Sequence, residues 1–237
     1  MEWRDTGIVL GLKPFGETGT IVNLMTREQG RHAGLVRGQR IRAQLQPGTR
    51  VSASWRARLA DHLGTFTLEP SGFPGAVLMD DALRLGALAS ACALVGTALP
   101  ERVANGPVHD GLDALLDLLA GEFWDAAYVQ WEAGLLRALG FGLDLTRCAA
   151  TGGNDQLAFV SPRSGRAVSL SAGEPYRDRL LPLPGFMIGA GEADAASVIA
   201  GLDLTGHFIE RNLFGQSNLP VPPARTRYVE LYRRRHA

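Results

Sequence analysis

At the start of the chain, apolar and polar side chains alternate in five short runs. From Asp80 onward the apolar spacing changes to three and four. The first period suits strands that bury one face and the second suits amphipathic helices, so a small sheet has to precede a helical region. The runs are Gly7 to Leu12, Thr20 to Thr26, Arg31 to Val36, Arg50 to Arg58 and Thr65 to Glu69, and KPFGETG, REQG and QPG separate the first four. Five short strands are too few for a sandwich of the immunoglobulin kind and suit a small, partly closed five-stranded barrel of the OB-fold type. SGFPG, residues 71–75, reads as the linker that follows.

The helical part begins with DDALRLGALASACALVGTAL, which has acids where the helix dipole favours them and stops at Pro100. PVHDGLDALLDLLAG and EFWDAAYVQWEAGLLRALG continue the pattern, with Gly121 and Gly140 as C-caps. These segments predict a small helical bundle. DQLAFVSPRSGRAVSLS then predicts two short strands around a Pro-Arg-Ser-Gly turn, and EADAASVIAGL, TGHFIERNLFG and ARTRYVELYRRR predict helices.

Several classes of chemistry lack their residues. Lys13, the only lysine, is preceded by VLGL, so no phosphate-binding P-loop is present. GAGEAD, residues 189–194, follows no strand pattern and reads as a turn. His32, His62, His109, His207 and His236 form no i, i+4 metal pair, and no serine occupies a G-x-S-x-G elbow. His109 and Asp113 lie one helical turn apart, as a solvated helix face would place them. Cys92 falls in an apolar helix, where a small buried hydrophobe is expected. Two unclustered cysteines do not make a secreted disulfide framework, and Arg4, Asp5 and Lys13 interrupt any leader, so a cytoplasmic protein is expected. Leu83 to Leu99 contains Arg84 and reads as a buried helix rather than a membrane span.

Charge is distributed unevenly although 24 cations balance 24 acids. Residues 1–76 carry ten cations against six acids, net +4; residues 77–145 three against ten, net −7; residues 146–237 eleven against eight, net +3. From Gln29 to Ala60 there is no acid, yet seven arginines occur: Arg31, Arg37, Arg40, Arg42, Arg50, Arg56 and Arg58. On a small barrel such a set suits single-stranded nucleic acid, because guanidinium groups contact phosphates and stack on bases. Phe15, Trp55 and Phe66 are either stacking faces or core. A solvated arginine-rich surface is the plain alternative. A second basic group, Arg225, Arg227, Arg233, Arg234, Arg235 and His236, closes the chain and reads as solvated or as a further contact.

The order of residues in GETGTIVNLMTREQGRHAGLVRGQRIRAQLQPG, residues 16–48, resembles the N-terminal barrel of the RecO family of bacterial recombination mediators. The matching features are an aromatic-x-Glu stretch (Phe15 to Glu17), an apolar strand ending in Thr (Ile21 to Thr26), a turn glycine (Gly30), a strand end (Val36 to Gly38), a basic loop with Arg40 and Arg42, and Leu45 to Pro47. The likeness continues in LDLTRCAATGGNDQLAFVSPRSGRAVSLSAG, residues 143–173, where many members carry a four-cysteine zinc knuckle. Here only Cys148 remains, with Thr151, Ser169 and Ala172 in the other ligand positions. One thiolate cannot hold structural zinc, so no cofactor is expected.

The resemblance implies an α+β chain: an OB-fold domain at 1–76, a helical bundle at 77–145, a degenerate, cysteine-poor zinc-knuckle-like β insert at 146–176 and C-terminal helices at 177–237. It implies a protein that catalyses no covalent reaction. Such proteins bind single- and double-stranded DNA without sequence specificity, anneal complementary strands, contact the SSB C-terminal tail and work with RecR to load RecA. The seven arginines become the DNA-binding candidates, with Arg31, Arg37, Arg40 and Arg42 foremost. The rival reading is a protein-interaction adaptor whose barrel binds no nucleic acid.

Overall fold

The computed structural model describes residues 1–59, 61–73, 78–215 and 219–237. The chain divides into two compact units, Met1–Gly121 with Pro222–Tyr228, and Glu122–Val221 with Val229–Ala237.

In the first unit, β1 (Glu2–Phe15), β2 (Gly19–Thr26), β3 (Gly30–Arg37), β4 (Arg50–Arg56) and β5 (Thr65–Gly72) form a ring in the order β1-β2-β3-β5-β4. All five expected strands are present. β1 is longer than its expected run because it serves two partners: Glu2 to Ile8 pair with β4, and Gly7 to Phe15 pair with β2. A bulge between Val9 and Gly11 bends the strand where it changes partner. The ring closes through a single parallel pair, Leu35 with Thr65, supported by the Leu35 N–H on the Gly64 carbonyl at 3.0 Å. Alternation sends Val9, Val22, Leu24, Val36, Val51, Trp55, Phe66 and Leu68 inward to one core. Gly34 is required there, since a Cβ would lie 2.4 Å from the Phe66 ring.

The basic loop expected after β3 contains one helical turn, α1 (Gln39–Arg42). Two longer helices follow in the same unit, α2 (Ala82–Ala98) and α3 (Gly106–Leu118). Asp81 caps α2 by accepting from the amides of Leu83 and Arg84, and Asn105 caps α3 through the Val108 amide. Arg84 reaches the carbonyls of Leu119 and Gly121, which satisfies the far end of α3. Residues 74–77, which hold the expected domain boundary and part of the SGFPG linker, lie outside the described residues.

Charge ties α3 to the barrel, and apolar packing ties α2 to it. Arg50 donates to Asp113 Oδ1 at 2.5 Å, to the Asp113 carbonyl at 2.9 Å and to Asp117 Oδ1 at 2.8 Å. Burial opposes the Arg50 charge, but the two carboxylates outweigh it and hold the guanidinium more firmly protonated. Arg27 forks onto Asp110 at 3.1 and 3.2 Å. The carboxyl of Asp110 is held below its usual range by His109 and by Arg27. Beneath this rim, Leu88 packs on Gly48 and the Cys92 thiol faces the Val9 carbonyl.

The second unit contains α4 (Trp124–Ala138), β6 (Leu157–Val160), β7 (Ala167–Ser169), the single turn α5 (Leu170–Gly173), β8 (Leu181–Pro182) and α6 (Ala195–Phe208). α7 (Pro223–His236) contributes its residues from Val229 on. Strand order is β7-β6-β8. The two strands expected around the Pro-Arg-Ser-Gly turn are β6 and β7. The helices expected at EADAASVIAGL and TGHFIERNLFG form one run, because α6 continues without a break into a π-helical stretch, Ile209–Phe214. Gly201 lets Val129 of α4 approach, and a Cβ there would lie 2.7 Å from it. Buried Glu132 accepts from the hydroxyls of Tyr128 and Thr205 at 2.9 and 2.5 Å.

Cys148, with Phe159 and Val168, forms the small core beneath β6 and β7. Its Sγ accepts the Ser169 N–H at 3.2 Å and lies 3.5 Å from Ser169 Oγ. The donors at this place are one sulfur and two hydroxyls (Thr151 and Ser169), and Ala172 supplies only a methyl group, which cannot ligate. Among the described residues no group of three or more His, Cys, Asp or Glu could hold a metal. The set does not fit tetrahedral zinc, which takes four thiolate or imidazole ligands in structural sites.

Two outcomes are expected. Arg50→Ala should lower unfolding stability by about 1–2 kcal/mol in urea titration, since it removes a half-buried arginine with three acceptors. Burial raises the Cys148 thiol, but the hydrogen bonds from Ser169 and Thr151 outweigh it and bring it to about 6. A group depressed on folding stabilises above its unfolded value, near 8.5, and that contribution is lost as pH falls through about 6. Wild-type stability should therefore rise relative to that of Cys148→Ala between pH 6 and 8. Parallel curves would contradict this.

Candidate nucleic-acid interface

Strand orientation and local acids sort the seven arginines. Arg31, at the start of β3, is half-buried and gives its Nε to the Leu99 carbonyl at 2.8 Å and a terminal nitrogen to Glu101 at 3.3 Å. Arg50 is committed to α3. Arg56 is exposed and forks onto Glu2 across the β1–β4 pair at 2.8 and 3.2 Å. Arg37, Arg40, Arg42 and Arg58 are exposed and have no ion pair among the described residues.

The free group is gathered by the backbone. Val36 points into the barrel, so Arg37 points out. Gly38 then turns the chain at φ 105°, a value that suits only glycine. In α1, Ile41 packs against the core, which turns its neighbours Arg40 and Arg42 to solvent. In the sheet register Phe15 pairs with Gly19 and Gly19 with Arg37, so Phe15 and Arg37 share an outer face two strands apart, about 10 Å. Lys13, Ile21 and Leu35 form the next row on that face.

Leu35 also lines a groove of about 630 Å³ beside the closure of the barrel, with Arg56, Ala57, Arg58, His62, Leu63, Gly64 and Thr65 as its other walls. The outer sheet face thus carries Lys13, Phe15 and Arg37, Arg58 and His62 line the groove, and Arg40 and Arg42 are exposed in the turn that follows β3. This surface can hold an extended polyanion, with cations for phosphates and an apolar floor for base faces. A larger concavity of about 1020 Å³ lies on the outer face of β1, β4 and β5. It carries Glu2, Asp5, Glu28 and Glu69 against Arg4, Arg27 and Arg56, and two of those cations are paired, so its charge does not suit a polyanion.

Of the three aromatic candidates, Trp55 and Phe66 are core residues, 2% and 3% exposed, while Phe15 is 53% exposed. Trp55 stacks on Trp3, and buried His32 packs edge-on against both. Burial depresses the His32 imidazole. His109 and Asp113 do not pair: His109 is buried beside Asp110, and Asp113 holds Arg50. In α7, Arg225 is buried, Arg233 pairs with Asp203, and Arg234 bonds the Glu230 carbonyl of its own helix. Reasoning from the sequence missed Lys13, His62 and the Leu35 groove. Acid-free windows do not reveal them, because His62 adjoins Asp61 and Lys13 precedes Glu17; strand register puts Lys13 on the face of Arg37, and the groove beside Leu35 brings in His62.

The sequence matches two family models, Recombination protein O N terminal over residues 1–70 and Recombination protein O C terminal over residues 79–218. The chain is 56% identical over 241 residues to the DNA repair protein RecO of Rhodospirillum centenum, covering 100% of this chain and 96% of that protein. It is 50% identical over 245 residues to the DNA repair protein RecO of Rhodospirillum rubrum, covering 99% and 97%. Identity to the DNA repair protein RecO of Caulobacter vibrioides is 50% over 230 residues, covering 95% of each.

Proposed function

Because the chain belongs to the RecO family of DNA repair and recombination proteins, we propose that it binds single- and double-stranded DNA through the outer face of its barrel and anneals complementary strands. One observation carries the reading: Arg37, Arg40, Arg42 and Arg58 are exposed and free of internal acids among the described residues, with Arg37 on the outer face that bears Phe15 and Arg58 in the wall of the Leu35 groove. Two complementary strands repel each other as polyanions. A surface of unpaired guanidinium groups lowers that repulsion and gains entropy by releasing condensed counterions. Contacts to phosphate carry no base information, so strands of any sequence are accepted. Stacking on Phe15 is equally indifferent to sequence, since every base has a π-face.

In this proposal Arg31 and Arg50 support the surface without touching DNA, and Arg56 joins it where a phosphate displaces Glu2. The protein catalyses no covalent step; it works in the cytoplasm with RecR and with the C-terminal tail of SSB in loading RecA. No helix among the described residues is long and apolar enough to cross a membrane. Folding without zinc is part of the same proposal, with the Cys148 and Ser169 hydrogen bonds in place of metal ligation.

Fluorescence anisotropy with a labelled single-stranded oligonucleotide over a salt series should give micromolar or tighter binding that weakens linearly on logarithmic axes. Changing Arg37, Arg40 and Arg42 together to Ala should reduce the slope by about 2, at roughly 0.7 per lost phosphate contact on single strands. Annealing should slow while the urea midpoint stays in place. Absence of binding at low salt would leave the adaptor reading. Elemental analysis should show no stoichiometric zinc, and one zinc per chain would refute the metal-free knuckle.

A further inference from the structure

The groove wall that carries Arg58 and His62 belongs to the β4–β5 connection, and hydrogen bonds fix the carbonyls of Ala57, Asp61, His62, Leu63 and Gly64. The Met1 ammonium donates to the Ala57 carbonyl at 2.7 Å, and the Ala57 N–H returns to the Met1 carbonyl at 3.0 Å. The Trp55 indole N–H donates to the Leu63 carbonyl at 3.0 Å, and the Leu35 N–H takes the Gly64 carbonyl. Gly64 sits against the Trp55 ring, where a Cβ would lie 2.4 Å away. Between these anchors, the carbonyls of Asp61 and His62 both accept from one guanidinium nitrogen of Arg102, at 3.2 and 3.0 Å.

Arg102 lies outside the barrel, in the connection between α2 and α3, at φ 62°. A left-handed backbone is uncommon for a branched or long side chain, and glycine would adopt it at less cost. The surroundings hold it there. The Arg102 N–H donates to the Arg31 carbonyl at 2.7 Å, the neighbouring Glu101 bridges Arg31, and the Val103 carbonyl lies so close to Gly30 that a Cβ would come within 2.0 Å. This pinned corner aims the Arg102 side chain at the 61–62 carbonyls. What the arginine gains for its strained backbone is that pair of bonds.

We propose that Arg102 is a positioning residue that straps the β4–β5 connection to the α2–α3 connection and thereby sets the groove wall bearing Arg58 and His62. The proposal rests on the DNA-binding reading above and assigns Arg102 no contact with DNA. It also gives Arg31 a purpose: its backbone carbonyl and its side chain hold the connection from which Arg102 reaches.

The test combines hydrogen–deuterium exchange with DNA binding on the full chain, using Arg102→Ala, Arg102→Lys and Arg58→Ala. In Arg102→Ala, exchange should quicken roughly tenfold in peptides covering residues 57–64, as loss of charged hydrogen bonds implies. Exchange in α2, α3 and the remaining strands, and the urea midpoint, should be unchanged. Single-strand affinity should fall several-fold with the salt slope retained, whereas Arg58→Ala should lose about 0.7 of slope. Arg102→Lys, whose ammonium can still donate to both carbonyls, should recover most of the affinity. Unchanged exchange at 57–64 in Arg102→Ala would overturn the strap. A slope reduced as in Arg58→Ala would overturn the positioning role and make Arg102 a phosphate contact. A wild-type protein that binds no oligonucleotide would overturn the positioning proposal together with the DNA reading, and the exchange data would still report whether Arg102 holds the connection.

Discussion

Arg50 bonded to Asp113 and Asp117 is the contact that decides how the first unit divides its arginines. It joins the first residue of β4 to the middle and end of α3, and with Arg27 on Asp110 it spends the acids of that helix on the barrel. Without such pairing, a helix rich in Asp beside an arginine-rich barrel would compete with any anionic ligand for the same cations. Since the acids are spent at one side, the α1 turn and the groove beside β5 keep their charge. Fold and proposed binding surface thus draw on a common supply of arginine and divide it by position.

Much of this architecture was legible in the sequence because it follows from period and punctuation. Alternation located all five strands, and Pro100, Gly121 and Gly140 marked helix ends close to those observed. The division of labour among the arginines was not legible. Asp113 lies 63 residues from Arg50 and Leu99 lies 68 from Arg31, and no local pattern announces such partners. Arg102 was invisible for the same reason, since neither its left-handed backbone nor its reach to residues 61 and 62 leaves a mark in composition. The one-turn helix α1 leaves no mark in the sequence because four residues are too few to show a period. Phe15, Trp55 and Phe66 resemble one another in sequence, and only register separates the exposed ring from the two core rings.

The knuckle in the second unit makes a similar point about substitution. Ser169 stands at one of the ligand positions that the resemblance implies, and its amide donates to Cys148 Sγ while its hydroxyl oxygen lies within hydrogen-bond reach of the same sulfur. Phe159 and Val168 complete a core small enough for strand pairing to support. Family membership therefore transfers at the level of fold and repair role, while each side chain has to be argued from its own contacts.

The central claim is that the arginines fall into a tied group that maintains the fold and a free group that meets DNA. Arginine modification by phenylglyoxal, followed by mass spectrometry with and without a saturating oligonucleotide, tests it directly. The account predicts fast modification of Arg37, Arg40, Arg42 and Arg58 that the oligonucleotide suppresses, and slow modification of Arg31 and Arg50 that it leaves unchanged. Equal reactivity of the two groups, or protection of neither by the oligonucleotide, would contradict it.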